Sequence, residues 1–108
     1  MQMAIIEFEL NEGAAEEFQQ LADKLLPRLS AIEGFIGAYP AASLSHNGRQ
    51  YEISYWRDAD ALARWARDPD HCVVMKRGKE CLLKWYRIRV GDISRDWSVG
   101  PLPADLIE

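Results

Sequence analysis

The chain lacks most of the features that mark nucleic-acid-binding, exported and membrane-spanning proteins. Basic residues are outnumbered, with 13 Lys and Arg against 17 Asp and Glu, which argues against the basic surface that phosphate backbones require. No apolar run approaches the roughly 18 residues that a bilayer span needs. The first ten residues show no basic segment, long apolar segment or cleavage site typical of a signal peptide. We therefore predict a cytoplasmic protein that binds neither nucleic acid nor membranes.

Cysteine is also scarce, and so are the motifs that hold cofactors. The two cysteines, Cys72 and Cys81, lie in a segment that we predict to be helical. Nine residues of helix separate them by roughly 13 Å, which is too far for a disulfide. We expect two free thiols. No metal-ligand spacing of Cys and His, P-loop, dinucleotide fingerprint or nucleophile elbow is present, and we predict neither a metal nor a cofactor.

The chain has 108 residues, of which 48% are hydrophobic and 28% are charged. This composition is typical of a single globular domain. Short segments with a period of two alternate with segments whose apolar residues recur every three or four positions. These patterns predict a strand over 3–10, a helix from Ala14 to Gly34 that Pro27 bends or interrupts late in its course, an edge strand over 34–45, a strand over 50–57, a short helix from Asp58, a helix from Asp68 to about Leu83 and a long strand over 85–97.

Local signals support these boundaries. Asn47 and Gly48 lie between two strand-like runs and predict a hairpin. Asp58 and Asp68 are good helix N-caps, and Pro69 occupies the first helical position after the second of them. The order strand, helix, strand, strand, split helix, strand predicts an α+β ferredoxin-like fold over residues 3–97. Residues 98–108 are rich in Pro and Gly, and we expect them to form a tail.

Helices cover one face of such a sheet, and the other face is left open. We predict that the covered face carries Ile6, Phe8, Ile53, Tyr55, Ile88 and Val90, and that the open face carries Trp85 together with Glu7, Glu9, Glu52, Ser54, Trp56, Arg87 and Arg89. On this arrangement the two glutamates of the first strand pair with the two arginines of the last. Because interfaces favour Trp and Arg, we expect a second copy of the chain to cover this face.

The order of elements and the stretch "SYWRDADALARWARDPDHCVVMKRGKECLLKWYRIRV" resemble the antibiotic biosynthesis monooxygenase domain family. The resemblance covers residues 3–97. Its most specific parts are Gly34 with Phe35, the "YW" before the short helix, the "ALARW" helix and the "DPDH" helix start. Membership of this family implies a homodimer, a dimeric α/β barrel, with a cleft between the helices and the sheet of each subunit.

Some members of the family oxygenate polycyclic aromatic compounds with dioxygen and without metal or flavin, and others degrade haem. The haem-degrading members carry an Asn on the first strand and a His ten residues after a conserved helix tryptophan. The corresponding places here hold about Ile6 and Met75, which disfavours haem degradation. The resemblance therefore implies a cofactor-independent monooxygenase acting on an aromatic or quinone-like small molecule. The alternative is a non-catalytic, dimeric protein that binds small molecules or serves in stress.

Four residues are candidates for the site that the resemblance implies. Trp65 matches the helix tryptophan of the family, although an aromatic residue at this spacing also suits a core. His71 lies near the start of a helix, where the helix dipole disfavours the imidazolium and leaves a neutral base. The same imidazole could instead stabilise the start of its own helix. Tyr55 and Arg77 are the predicted substrate-binding residues, and a solvated charge run is the alternative for Arg77.

Overall fold

Four antiparallel strands form the sheet, and helices cover one of its faces. The computed structural model describes residues 1–106, and the sheet order is β2-β3-β1-β4. This is the predicted ferredoxin-like α+β fold with a split second helix. The elements are β1 (Gln2–Leu10), α1 (Ala15–Ser30), β2 (Phe35–Ala42), β3 (Arg49–Trp56), α2 (Ala59–Ala66), α3 (Pro69–Arg77), a π-helical turn (Gly78–Leu82), β4 (Leu83–Asp92) and a 3₁₀ turn (Ala104–Leu106).

The predicted helix caps and hairpin are confirmed. The side chain of Asp58 accepts a hydrogen bond of 2.9 Å from the backbone N–H of Ala61, which begins α2. Asp68 caps α3 in the same way, and Pro69 follows it at the first helical position. In the hairpin between β2 and β3, Gly48 has a φ of 85°. Each of these features depends on neighbouring residues alone.

The core lies between the sheet and the helices. Phe8 of β1 contacts Phe18 of α1, with ring centroids 5.1 Å apart. Trp56 at the end of β3 is 1% exposed and meets Phe35 edge-on at 5.2 Å. Its indole N–H donates to Ser54 Oγ at 2.9 Å, so the buried polar atom is satisfied inside the core.

The predicted orientation of β3 is wrong. Ser54 pairs with Ala4 and Glu52 pairs with Ile6 across the ladder, and directly opposed residues share a face of the sheet. Glu52, Ser54 and Trp56 therefore face the helices, whereas Ile53 and Tyr55 face the open side. Large apolar or aromatic residues occur in both alternating sets of this strand, so hydrophobicity alone does not determine its orientation.

The open face carries the charges that were predicted there on β1 and β4, namely Glu7, Glu9, Arg87 and Arg89, with one difference in their pairing. Glu7 and Arg87 form an ion pair, as expected. Glu9 pairs with Arg49 of β3 at 3.3 Å and not with an arginine of β4. The guanidinium of Arg49 also lies 5.3 Å from the centre of the Trp85 ring. The register explains this choice, because Glu9 is directly opposite Arg49 on one side and Trp85 on the other.

The last strand is shorter than predicted. It ends at Asp92 and does not continue to residue 97. The reason is the length of its partner, since Asp92 pairs with Gln2, the first residue of β1. After one further backbone bond, from Ile93 N–H to Met1 O, no strand remains to support an extension. Both cysteines are free, as predicted, and within residues 1–106 none of the helices combines the length and the apolar character of a bilayer span.

Gly34, between α1 and β2, is under two separate constraints. Its φ is 91°, in the region that other residues rarely adopt. A Cβ atom built on it would lie 2.7 Å from Cβ of Ala61 in α2. Its carbonyl accepts a 2.7 Å hydrogen bond from Arg57 N–H. The loop, the end of β3 and the start of α2 therefore pack closely at this one glycine.

A comparison of two glycine variants separates these constraints. Gly48 has a similar φ of 85° but open space around it, so Gly48→Ala should cost only the backbone term, about 1–2 kcal/mol. Gly34→Ala should lower the free energy of unfolding by about 1–3 kcal/mol more, because it also overpacks Ala61. Urea denaturation measures both. Equal losses in the two variants would mean that α2 moves away from Gly34 without penalty.

Candidate functional site

An ion pair joins the end of α1 to the start of α3. Arg28 of α1 donates to both carboxylate oxygens of Asp68, at 2.7 and 3.1 Å, and lies 3.1 Å from Asp70. The Asp68 side chain is 9% exposed. Arg28 and the backbone N–H of His71 lower the pKa of Asp68 to about 2. This carboxylate therefore stays charged while it joins two helices and holds the first turn of α3 in place.

Trp65 and His71 lie together at this junction. Their rings stack with centroids 4.2 Å apart and planes inclined by 19°. Trp65 follows the fully buried Ala61 by four residues, so both project from the inward face of α2. The two-residue link between α2 and α3 brings His71 back against that face. The structure thus brings together the two residues that we predicted to be catalytic.

A hydrogen bond determines which nitrogen of His71 carries the proton. Nδ1 lies 3.0 Å from the backbone oxygen of Trp65, and a carbonyl can only accept, so Nδ1 is the donor. Burial lowers the pKa of His71 from its ordinary value of 6.5, which favours the neutral ring near pH 7. In that tautomer Nε2 carries a free lone pair and can accept a proton.

The cap of α3 does not use the imidazole. Asp68 accepts the backbone N–H of His71, whereas the ring bonds to the last turn of α2. The ring therefore contributes to the α2 and α3 junction, and its second nitrogen forms no hydrogen bond within the part of the chain that the structure describes. The structural and chemical roles that the sequence left open are compatible, because they use different nitrogen atoms.

A hollow of about 360 Å³ adjoins this junction. One wall of this hollow is Asp68, the N-cap residue of α3. The other walls come from the last turn of α1 and from the residues that follow α1. Its size is within the range of small-molecule pockets. The lining residues are Pro27, Arg28, Ala31, Ile32 and Asp68.

Arg77 lies at the far end of the helical layer. Its guanidinium donates to both carboxylate oxygens of Glu17 in the first turn of α1, at 2.6 and 2.8 Å. Glu17 raises the pKa of Arg77 further. Eleven residues of helix, about 16 Å, separate Glu17 from Arg28. The structure therefore places Arg77 in an ion pair away from Trp65 and His71.

Tyr55 lies on the other side of the sheet. Its ring meets Tyr39 at 6.1 Å, on the open face. A groove of about 990 Å³ lies there, between the strands and the residues that follow β4. Tyr55 is therefore not in the same site as Trp65. The lining residues are mainly apolar or aromatic: Met1, Met3, Phe35, Ile36, Tyr39, Tyr55, Ile93, Asp96, Trp97, Ser98, Leu102, Asp105 and Leu106.

One candidate was missed by the sequence reasoning. Glu52 was predicted on the open face, but the register places it among the helix-facing residues of β3. It is half-buried, and burial raises its pKa. Glu52, Ser54 and Trp56 must share one face because they are two residues apart, but only the burial of Trp56 shows that this is the helix-covered face. Among residues 1–106, no three His, Cys, Asp or Glu side chains are grouped so that they could hold a metal ion.

The four-stranded antiparallel sheet and the split second helix define a ferredoxin-like α+β domain. The family model of antibiotic biosynthesis monooxygenase matches residues 1–77. The chain therefore belongs to the antibiotic biosynthesis monooxygenase family. The match includes β1 to α3, and hence both Trp65 and His71.

One relative of known sequence agrees with this assignment. The jasmonate monooxygenase ABM of Pyricularia oryzae is 33% identical over 79 residues, which make up 73% of this chain but only 37% of that protein. This chain thus matches little more than a third of that relative's length.

Solved structures show the same fold. A protein of Deinococcus radiodurans superposes with a TM-score of 0.80 at 13% identity, over 94% of this chain and 100% of that one. SnoaB, a cofactor-independent oxygenase of Streptomyces nogalater, superposes with a TM-score of 0.74 at 15% identity, over 88% of this chain and 94% of its own.

Proposed function

We propose that the protein is a cofactor-independent monooxygenase of a phenolic or quinone-like aromatic compound, with His71 as the base and Trp65 as a wall of the site. The observation that carries this proposal is the free Nε2 of a neutral imidazole stacked on an indole at the inward face of α2. An aromatic ring can continue that stack. Membership of the family and the likeness to SnoaB support the same reaction class.

The proposed reaction requires one base and a partly buried site from the protein. Nε2 removes a phenolic proton, and the resulting enolate-like anion supplies the electrons that reduce dioxygen. For a substrate with a reactive CH₂ group, the balanced outcome is that CH₂ and O₂ become C=O and H₂O. One oxygen atom enters the substrate and the other leaves as water, and the substrate supplies all the electrons. The half-buried junction limits water around the anion and strengthens its electrostatic interactions.

His71→Phe tests the role of the base, because phenylalanine keeps an aromatic ring beside Trp65 but has no nitrogen. We expect oxygen uptake with a panel of anthrones and polyphenols to fall by about 10²–10⁴ in kcat. The melting temperature should change much less, since the stack remains. Glu12→Gln, at an exposed loop position, serves as the control and should retain full activity. If ligands bind without any oxygen uptake in the unmodified protein, the non-catalytic alternative is correct.

The pH dependence of this activity follows from the state of His71. Its pKa in the folded protein lies below 6.5, and only the neutral ring accepts a proton. We expect kcat/KM to be constant near pH 7 and to decline only as the pH falls below 6.5. A decline that begins above pH 7 would contradict a neutral base at this position.

We also propose that the protein is a homodimer in which the open face of one subunit packs on that of its partner. The support is the apolar groove on this face and the exposure of Trp97, at 78%, at its margin. The prediction that Trp56 contributes to this interface is wrong, because Trp56 is buried in the core. Tyr39, Tyr55 and Trp97 take its place as the aromatic part of the proposed interface.

Light scattering after gel filtration tests the dimer. The unmodified chain of 12.4 kDa should elute with a mass of about twice that value. Trp97→Glu should give a monomer, since it places an unpaired charge in the apolar contact. Leu44→Glu is the control, because Leu44 is fully exposed in the hairpin and outside the groove. An unmodified protein that is monomeric at micromolar concentration would refute the proposal.

A further inference from the structure

Glu52 occupies the middle of the helix-covered face of the sheet. It lies on β3, one of the two central strands, directly between Ile6 of β1 and Pro40 of β2. Both neighbours are apolar. The carboxyl group is half-buried and keeps some contact with water, but an acidic side chain without a partner is unusual among apolar neighbours.

The other two glutamates of the strands have arginine partners. Glu7 is bonded to Arg87, and Glu9 is bonded to Arg49, both on the open face. The side chain of Glu52 forms neither a hydrogen bond nor an ion pair with any of the residues from 1 to 106, whereas its backbone belongs to the β3 ladder. Burial raises the pKa of Glu52, and no nearby cation opposes that shift. Nothing in its surroundings indicates that the charge stabilises the folded chain.

The neighbouring part of this face is apolar and incompletely covered. Ile6 pairs with Ile88 on its other side, and Ala4 pairs with Val90 in the next row. Ile88 and Val90 belong to the helix-facing set, yet they are 46% and 54% exposed. The helices therefore leave room above these rows of the sheet. The apolar residues of these rows and Glu52 form an apolar surface with one acidic group in it. Sites that orient a small ligand usually have this composition.

We propose that Glu52 determines substrate specificity, with its carboxylate accepting a hydrogen bond from a hydroxyl group of an aromatic ligand held between the helices and the sheet. The inference rests on the proposed function, which places the ligand on this side of the sheet. The hydroxyl group of the ligand would donate to the Glu52 carboxylate, which has no donor within residues 1–106. Hydrogen bonds to an ionised acceptor are stronger than hydrogen bonds between neutral groups. A methyl ether of the same ring system has no proton to donate and leaves the carboxylate unpaired.

Calorimetry with 2-naphthol and 2-methoxynaphthalene tests this directly. We expect the unmodified protein to bind 2-naphthol about tenfold more tightly, a difference of about 1.4 kcal/mol. Glu52→Leu, which has no acceptor, should bring the two affinities to within about twofold. Glu52→Gln keeps the shape of the side chain and should give an intermediate preference. Glu7→Gln removes a carboxylate from the opposite face of the same sheet and should leave the tenfold preference unchanged.

The outcomes separate this inference from the proposed function. Fluorescence quenching that both probes produce in the unmodified protein, and that is lost in Trp65→Phe, would show that they bind at the helix side. If the two probes then bind equally well, or if both Glu52 variants keep the tenfold preference, the role of Glu52 is refuted and the ligand site remains. If neither probe binds the unmodified protein, both proposals fail.

Discussion

The burial of Trp56 is the constraint on which the rest of the structure depends. It is the largest fully buried side chain among the described residues, and the hydroxyl of Ser54 satisfies its indole N–H within the core. Because strand residues alternate between faces, this burial also turns Glu52 inward and Tyr55 outward. Helix α2, which begins three residues after Trp56, then has little freedom, since Ala61 packs against Gly34.

The two faces of the sheet have different chemistry as a result. Arginine pairs with the glutamates of the open face, and an apolar groove with exposed aromatic residues lies beside them. The covered side holds a neutral imidazole and a glutamate, and within residues 1–106 neither Nε2 of the imidazole nor the carboxylate has a hydrogen-bond partner. Charges that stabilise the sheet are thus kept apart from the groups to which we assign chemistry. In the helical layer, Arg28 and Arg77 pair with acids at the two ends of α1.

The features that sequence reasoning predicted well are local ones. Asp58, Asp68 and the Asn47-Gly48 turn act through residues three or four positions away, so the sequence alone shows them. The proximity of Trp65 and His71 follows from the short link between two capped helices, together with the resemblance to the family. The order of strands and helices then leaves few compact folds, of which the ferredoxin-like one was predicted.

The features that sequence reasoning missed depend on contacts between distant segments. The orientation of β3 was ambiguous because Ile53 and Tyr55 compete with Trp56 for the core. The end of β4 is determined by where β1 begins, and the partner of Glu9 by the register of β3. Tyr55 and Arg77 were grouped with Trp65 without knowledge of these contacts, and the structure places one beyond the sheet and the other in an ion pair with Glu17.

The proposed chemistry depends on His71 being a neutral imidazole whose Nε2 can accept a proton. Nitrogen-15 NMR of the imidazole rings, recorded as a function of pH, measures this most directly, with His71→Phe to assign the signals. We expect His71 to carry its proton on Nδ1 at pH 7, and its ring to become doubly protonated only below pH 6.5. A proton on Nε2, or a ring already doubly protonated at pH 7, would contradict it.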